Sequence, residues 1–178
     1  MVIIAYYGNL SDCVKLAVCG SSDCTSGNTI TDISDTTNLG SYNSLVLDEN
    51  DIPTITTRDN LHGYFVVINC WDQYCNEANV TVANDTDAGQ HGAVLLDINN
   101  DNKPLVVHRS IDIGTEGSIL SLCDDRICAN PTNLVFDTTP DGELYSNIHQ
   151  SQLTNHTLIF YHIDTDSNES FRIAVCES

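Results

Sequence analysis

Positive charge is what this sequence has least of. Six Lys and Arg stand against 25 Asp and Glu, a formal net charge of −19. So acidic a chain is a poor match for a phosphate backbone or an anionic membrane, because both need a cationic surface. No apolar run approaches the 18 or more residues of a membrane-spanning helix. Helical periodicity is missing too: no N-cap precedes a long apolar stripe. No G-x-S-x-G, H-E-x-x-H, phosphate loop or dinucleotide fingerprint occurs, so the sequence offers no catalytic residue and reads as a non-enzyme. Its acids guarantee some close carboxylate pairs, but nothing singles one out for glycoside chemistry. No signal peptide is visible. Met1 is followed by VIIAYY, without a basic segment, a long apolar segment or a small-residue cleavage site. Met1 falls inside a repeat, so the expectation is a processed or partial chain of a secreted precursor.

What is present is one pattern written several times. Cys19, Cys70, Cys123 and Cys176 lie 51, 53 and 53 residues apart, each closing an alternating stretch: CVKLAVC, YFVVINC, SILSLC and FRIAVC. A second column agrees: Val2, Pro53, Pro104 and Thr157 head VIIAYYGN, PTITTRDN, PLVVHRSI and TLIFYHID. Two columns of one period make a repeat, and periods near 50 residues indicate propellers, solenoids or stacked arrays. Pro, Gly, Asn and Asp punctuate the chain every 8 to 12 residues between short apolar stretches, which reads as all-β.

The second unit shows the plan: SYNSLVLD, PTITTRD, YFVVINC, a loop CWDQYC, then ANVTVAN. The third repeats it as GAVLLDI, PLVVHRS, GSILSLC, CDDRIC and TNLVFDT. This assigns one repeat domain over 1–178, with units at about 1–40, 41–89, 90–142 and 143–178. The first unit lacks strand one. The last reads SNIHQS where its relatives carry Leu-Asp, has no proline, and lacks strand four. The expected inventory is three strands, four, four and three.

Eight cysteines point to an oxidising compartment, hence an extracellular or secreted protein. Structural zinc prefers C-x2-C spacing and four convergent ligands, whereas these pairs sit one unit apart. Disulfides Cys19–Cys24, Cys70–Cys75 and Cys123–Cys128 are expected, each closing so short a loop that it contributes only about 2 kcal/mol. Cys13 and Cys176 remain, and a bond between them would join first and last units, within a molecule or between neighbours.

A strand ending in Leu-Asp, an Asn/Asp turn, Pro53 or Pro104, a strand with aromatic or Arg/His residues, then a strand closing in Cys-x4-Cys: this order resembles a family of secreted β-propeller-type repeat proteins. The likeness spans the whole chain. It implies propeller-blade-like units of four antiparallel strands, about 3.5 of them here, and says almost nothing about chemistry.

Several residues are candidates for function. Sequons occur at Asn9, Asn79, Asn84, Asn155 and Asn168. Asn9 and Asn168 are expected between strands two and three, Asn155 between strands one and two, and Asn79 and Asn84 on strand four, where glycans would blunt an outer edge. Asp97, Asn99 and Asp101 have the alternate spacing of a calcium loop, although Asn102 replaces the glycine and His108 the distal Glu. An Asx-type turn explains the same residues, and otherwise no cofactor is implied. Tyr7, Arg58, Arg109 and His162 occupy one repeat position, projecting to one face. Arg58, Arg109 and His162 there would bind glycans, or form a structural ladder with carboxylates such as Asp59 and Asp112.

Two complete units and two partial ones cannot close a ring, and open sheets expose strand edges that template association. The sequence therefore points to an acidic extracellular structural glycoprotein that self-assembles head to tail, as a homo-oligomer or homopolymer such as a filament, neighbouring copies completing its partial β units. Its alternative is a carbohydrate-binding, lectin-like propeller or a fragment of one. Neither needs nucleic acid or membrane.

Overall fold

Alternating side chains put apolar residues on opposite faces of short strands, and turns rich in Asp, Asn and Gly return the chain beside itself. A computed structural model describes residues 1–33, 38–97, 100–112, 116–139, 145–151, 153–165 and 168–176. Those residues hold 14 strands in four antiparallel sheets and no helix, so no helix is long and apolar enough to cross a membrane. The first sheet contains β1 (Ile3–Gly8), β2 (Cys13–Val18) and β3 (Thr29–Asp32). The second contains β4 (Leu39–Leu47), β5 (Pro53–Asp59), β6 (Phe65–Cys70) and β7 (Ala78–Asn84). The third contains β8 (Ala88–Asp97), β9 (Lys103–Ser110), β10 (Gly117–Leu122) and β11 (Thr132–Asp137). The fourth contains β12 (Ser146–Gln150), β13 (Thr157–Thr165) and β14 (Asn168–Cys176). Each sheet is a simple meander. The three, four, four, three inventory is the one the repeat columns imply.

The sheets pack face to face in chain order. They approach most closely along first strands, β4 against β8 and β8 against β12, with β1 against β4. No comparable packing joins the first sheet to the last, and the described residues close no barrel or ring. Three separate cores result. Val14, Leu16 and Val18 meet Ile55, Val66 and Ile68 between the first two sheets. Phe65 and Val67 meet Val94 and Val106 between the second and third. Val107 and Leu120 meet Ile148, Ile159 and Tyr161 between the third and fourth.

Two first strands start earlier than their apolar patterns suggest. β4 begins at Leu39 rather than Ser41, and β8 at Ala88 rather than Gly92. Register shifts against β5 and β9 interrupt both, and Tyr42 (φ 56°) and His91 (φ 52°) sit inside the irregular stretches. Bulges of this kind re-aim a side chain, which alternation alone would not reveal.

The three expected staples form, Cys19–Cys24, Cys70–Cys75 and Cys123–Cys128, consistent with an extracellular location. Their turns share one construction. The second cysteine has φ near 56°, and its N–H donates to the carbonyl of Ser21, Asp72 or Asp125, always the third loop residue. That residue's side chain caps the turn: Asp72 Oδ1 accepts from Tyr74 N at 2.8 Å, and Asp125 Oδ1 from Ala129 N at 3.0 Å. The second and third staples are buried in cores, whereas Cys24 of the first is partly exposed. Cys13 and Cys176 form no bond with each other. Both are free thiols, Cys13 buried beside Ser11 Oγ at 3.2 Å, so an intramolecular closure does not occur.

His108 is the most deeply buried titratable group named by the core. It stacks on Phe65 with ring centroids 4.4 Å apart, and its Nε2 lies 3.0 Å from Ser121 Oγ. Ser121 Oγ donates to Asn133 Oδ1 at 2.7 Å, which leaves the hydroxyl as acceptor for the imidazole N–H. Burial lowers the His108 pKa to about 4. Below pH about 6.5 the unfolded chain binds a proton that the folded chain refuses until about pH 4. Stability should therefore fall by about 3 kcal/mol across that window as pH drops. His108→Gln should flatten this slope in urea titrations; an unchanged slope would refute the assignment. For the staples, replacing Cys19 and Cys24 by Ser should cost about 2 kcal/mol, and the same change at Cys123 and Cys128 roughly twice that, since two hydroxyls enter an apolar core. Denaturant midpoints of the two variants decide the order.

Candidate functional site

The polar column on second strands is present, but most of its chemistry is spent within the protein. Tyr7 donates to Asp12 Oδ1 at 2.6 Å, and that bond raises the Tyr7 pKa. Arg58 Nη2 donates to Asp87 Oδ1 at 2.6 Å. Gly63 permits this contact: its φ is 78°, and a Cβ there would meet Asp87 Oδ1 at 2.8 Å. The expected partner, Asp59, faces elsewhere. Its carboxylate takes His62 Nδ1 at 2.7 Å and the N–H of Leu61 at 2.8 Å, so Arg58 pairs across the link between units instead. Arg109 holds the equivalent register, opposite Gln90 and Ser118. His162 packs on Phe171, ring centroids 4.8 Å apart. The three are in one column and do not converge on one cavity.

A second, unforeseen row lies on the first strands. His91 meets Tyr42 at 4.4 Å and Tyr145 at 4.2 Å between ring centroids. These rings line a cleft of about 190 Å³ with Asn43, Gly92 and Ser146. Ser146 Oγ donates to His91 O at 2.7 Å, tying the fourth sheet to the third. Tyr42, His91 and Tyr145 each stand six residues before Asp48, Asp97 and Ser151, a column visible in the sequence once first strands are aligned on those positions. Strand alternation hid it because Tyr42 and His91 sit where the strands bulge.

Two of the three calcium candidates, Asp97 and Asp101, are described. Asn99 lies outside the described residues. Asp97 Oδ1 accepts from Gln150 Nε2 of the fourth sheet at 3.1 Å, whereas Asp101 lines a cleft with Asp48 and Glu49 of the second unit. No group of three His, Cys, Asp or Glu positioned for a metal ion occurs among the described residues. The matching carboxylate in the second unit, Asp48, is a buried anchor. It accepts from Asn50 N at 2.9 Å, Ile52 N at 2.8 Å and Arg126 Nη2 at 2.8 Å, linking this turn to the third unit's staple. These contacts match the Asx-turn explanation.

Sequons differ sharply in access. Asn9 and Asn155 are exposed in loops, and Asn79 is half-buried on β7. Asn84 is buried, its Oδ1 accepting from Thr86 N at 2.9 Å and Thr86 Oγ1 at 2.7 Å. Asn168 is the first residue of β14 rather than part of a loop, and pairs with Thr165.

Asp137 organises the junction between the last two sheets. It accepts from Tyr161 Oη at 2.9 Å and from Arg172 Nη1 at 2.6 Å, and caps Thr139 N at 2.9 Å. Burial works to raise its pKa, but these bonds outweigh it and hold the carboxyl at about 2. Cys176 lines a cavity of about 290 Å³ nearby with Leu105, Leu120, Leu122 and Gln150. One interface earlier, the Cys123–Cys128 staple lies within the core.

No family model and no curated protein matches the chain. Its sites must be judged on geometry. Asn84→Gln should lower stability by about 1 kcal/mol, since it removes a turn-capping acceptor, while Asn9→Gln should be neutral. Thermal unfolding of both, with mass spectrometry showing Asn84 unmodified after passage through a glycosylating secretory host, checks this; a glycan on Asn84 would refute it.

Proposed function

We propose that this chain is an extracellular structural glycoprotein whose blade-like β units are completed by neighbouring copies, head to tail, building a filament or related polymer. The observation that carries the reading is the strand count of the end sheets. Both inner sheets have four strands and both end sheets have three, so β1 and β14 present edges whose counterparts β5 and β10 are paired on both sides. Unpaired N–H and C=O rows are templates for another strand, and strand addition draws affinity from main-chain hydrogen bonds. A joint between unlike ends is heterologous, and such joints propagate into fibres unless the rotation closes a ring.

Three further features support it. Four consecutive antiparallel sheets that converge at their first strands suit blade-like units, and the described residues close no ring. Three disulfides suit a secreted protein, and exposed Asn9 and Asn155 are placed to carry glycans clear of the sheets. Cys176 is a free, partly buried thiol on the chain's last sheet, where a joint between copies would lie. The formal charge of −19 disfavours nucleic acid and anionic membrane as partners.

A lectin-like reading draws support from the Tyr42–His91–Tyr145 cleft, where Asn43 Oδ1 has no hydrogen-bond partner among the described residues. It loses support at Arg58, whose guanidinium already pairs with Asp87. Negative-stain electron microscopy of native, non-reduced protein separates the two. Filaments with a regular repeat are the expected result. Compact discs or single particles at every concentration would overturn the assembly reading and bring ligand binding forward.

A further inference from the structure

We propose that the joint between copies is a stacked pair of sheet faces: the open face of the fourth sheet covers the open face of the first sheet of a second copy. This rests on the head-to-tail reading above and specifies surfaces that the strand edges leave undefined.

The repeat supplies the argument. Positions five, three and one residues before the column cysteines project toward the next sheet in chain order. In the first sheet they are Val14, Leu16 and Val18, at 0, 0 and 4% exposure. In the second, Phe65 and Val67 are both at 0% and Asn69 at 2%. In the third, Ser118 and Leu120 are at 2 and 7%, and Leu122 is partly buried. In the fourth they are Phe171, Ile173 and Val175, still apolar, at 88, 61 and 56%. Three sheets have this column covered by the sheet that follows. The fourth keeps the same chemistry with none of the described residues covering it.

The opposite faces behave in mirror fashion. Ile55, Val106 and Ile159 occupy one position on the second strands of units two to four, and each is fully buried against the preceding sheet. Their equivalent in the first unit is Ile4, at 46% exposure. Tyr6 follows it as Tyr161 follows Ile159, two residues on. The first sheet thus displays the surface that every later sheet buries.

Register makes both faces continuous. Leu158 pairs with Val175, Phe160 with Ile173 and His162 with Phe171, three cross-strand rows without a carboxylate. On the first sheet Ile4, Ala17 and Ile30 form one row. Tyr6, Lys15 and Asp32 form the next, and Lys15 bonds Asp32, so this acid is neutralised. In a chain carrying −19, two apolar faces almost free of net charge are the surfaces least hindered from meeting another copy. Exposed apolar patches of this extent mark interaction sites, and here the interface to be built already exists three times inside the chain. A second copy is the occupant because its first sheet carries the matching column.

The test uses Phe171→Asp, which spoils only the fourth-sheet face, and Ile4→Asp, which spoils only the first-sheet face. Sedimentation velocity and electron microscopy follow non-reduced wild-type protein, each variant alone, and a 1:1 mixture. Wild type should form long assemblies and each variant alone should stay monomeric, with association weakened at least a hundred-fold. The mixture should stop at dimers, since each pair retains one intact joint. Phe171→Leu should restore assembly, and circular dichroism with intact disulfides confirms folding of every variant. Wild-type protein that never assembles overturns the head-to-tail reading itself. Wild type and both variants assembling alike leaves that reading standing and overturns this joint. Ile4→Asp dimerising alone overturns the pairing of unlike faces, because the fourth sheet would then meet its own copy.

Discussion

Face-to-face packing of consecutive sheets is the interaction on which everything else in this protein rests. A sheet of three or four short strands has two faces and must bury its apolar ones against another element. Here each inward apolar face is covered by a neighbouring sheet along the chain, so the described residues hold three cores between four sheets and no common centre. Stability is then a sum of neighbour terms, as in other quasi-one-dimensional repeats. Such an arrangement has two special members, the first and the last. Their outward faces differ from inner faces in exposure more than in composition, so the proposed assembly between copies would use the same packing that folds each copy.

The acidic composition is accommodated by local turn chemistry. Asp48, Asp59, Asp72, Asp125 and Asp137 each accept backbone N–H groups at a turn. Four of the six Lys and Arg neutralise carboxylates that bridge units or end a strand: Lys15 on Asp32, Arg58 on Asp87, Arg126 on Asp48 and Arg172 on Asp137. Carboxylates tied this way serve as caps and cross-unit anchors, which draws them away from metal binding.

Alongside this regular scheme runs one departure from regularity. Tyr42 and His91 hold left-handed backbone on bulged first strands and stack in a row that reaches Tyr145. Non-glycine residues in that conformation carry a modest energetic cost, retained where surrounding structure enforces it. The row joins three consecutive sheets along the edge where they converge, and so fixes their spacing there.

Period, strand order and the three staples were determined by the sequence alone, because each depends on local quantities: alternation, turn residues and a five-residue cysteine separation that closes without distant partners. The all-β class and the three, four, four, three inventory followed from those columns. Other features depended on which side chains meet across sheets. Asp87 rather than Asp59 receives Arg58, because Gly63 lets the link between units approach. Asn84 turns inward to cap Thr86, which a sequon cannot disclose. The separation of Cys13 from Cys176 likewise arises from packing between sheets. The sequence repeats nearly the same apolar column four times; only the tertiary structure decides that three copies are buried and the fourth faces water, because burial depends on a neighbour and the residue does not record whether it has one.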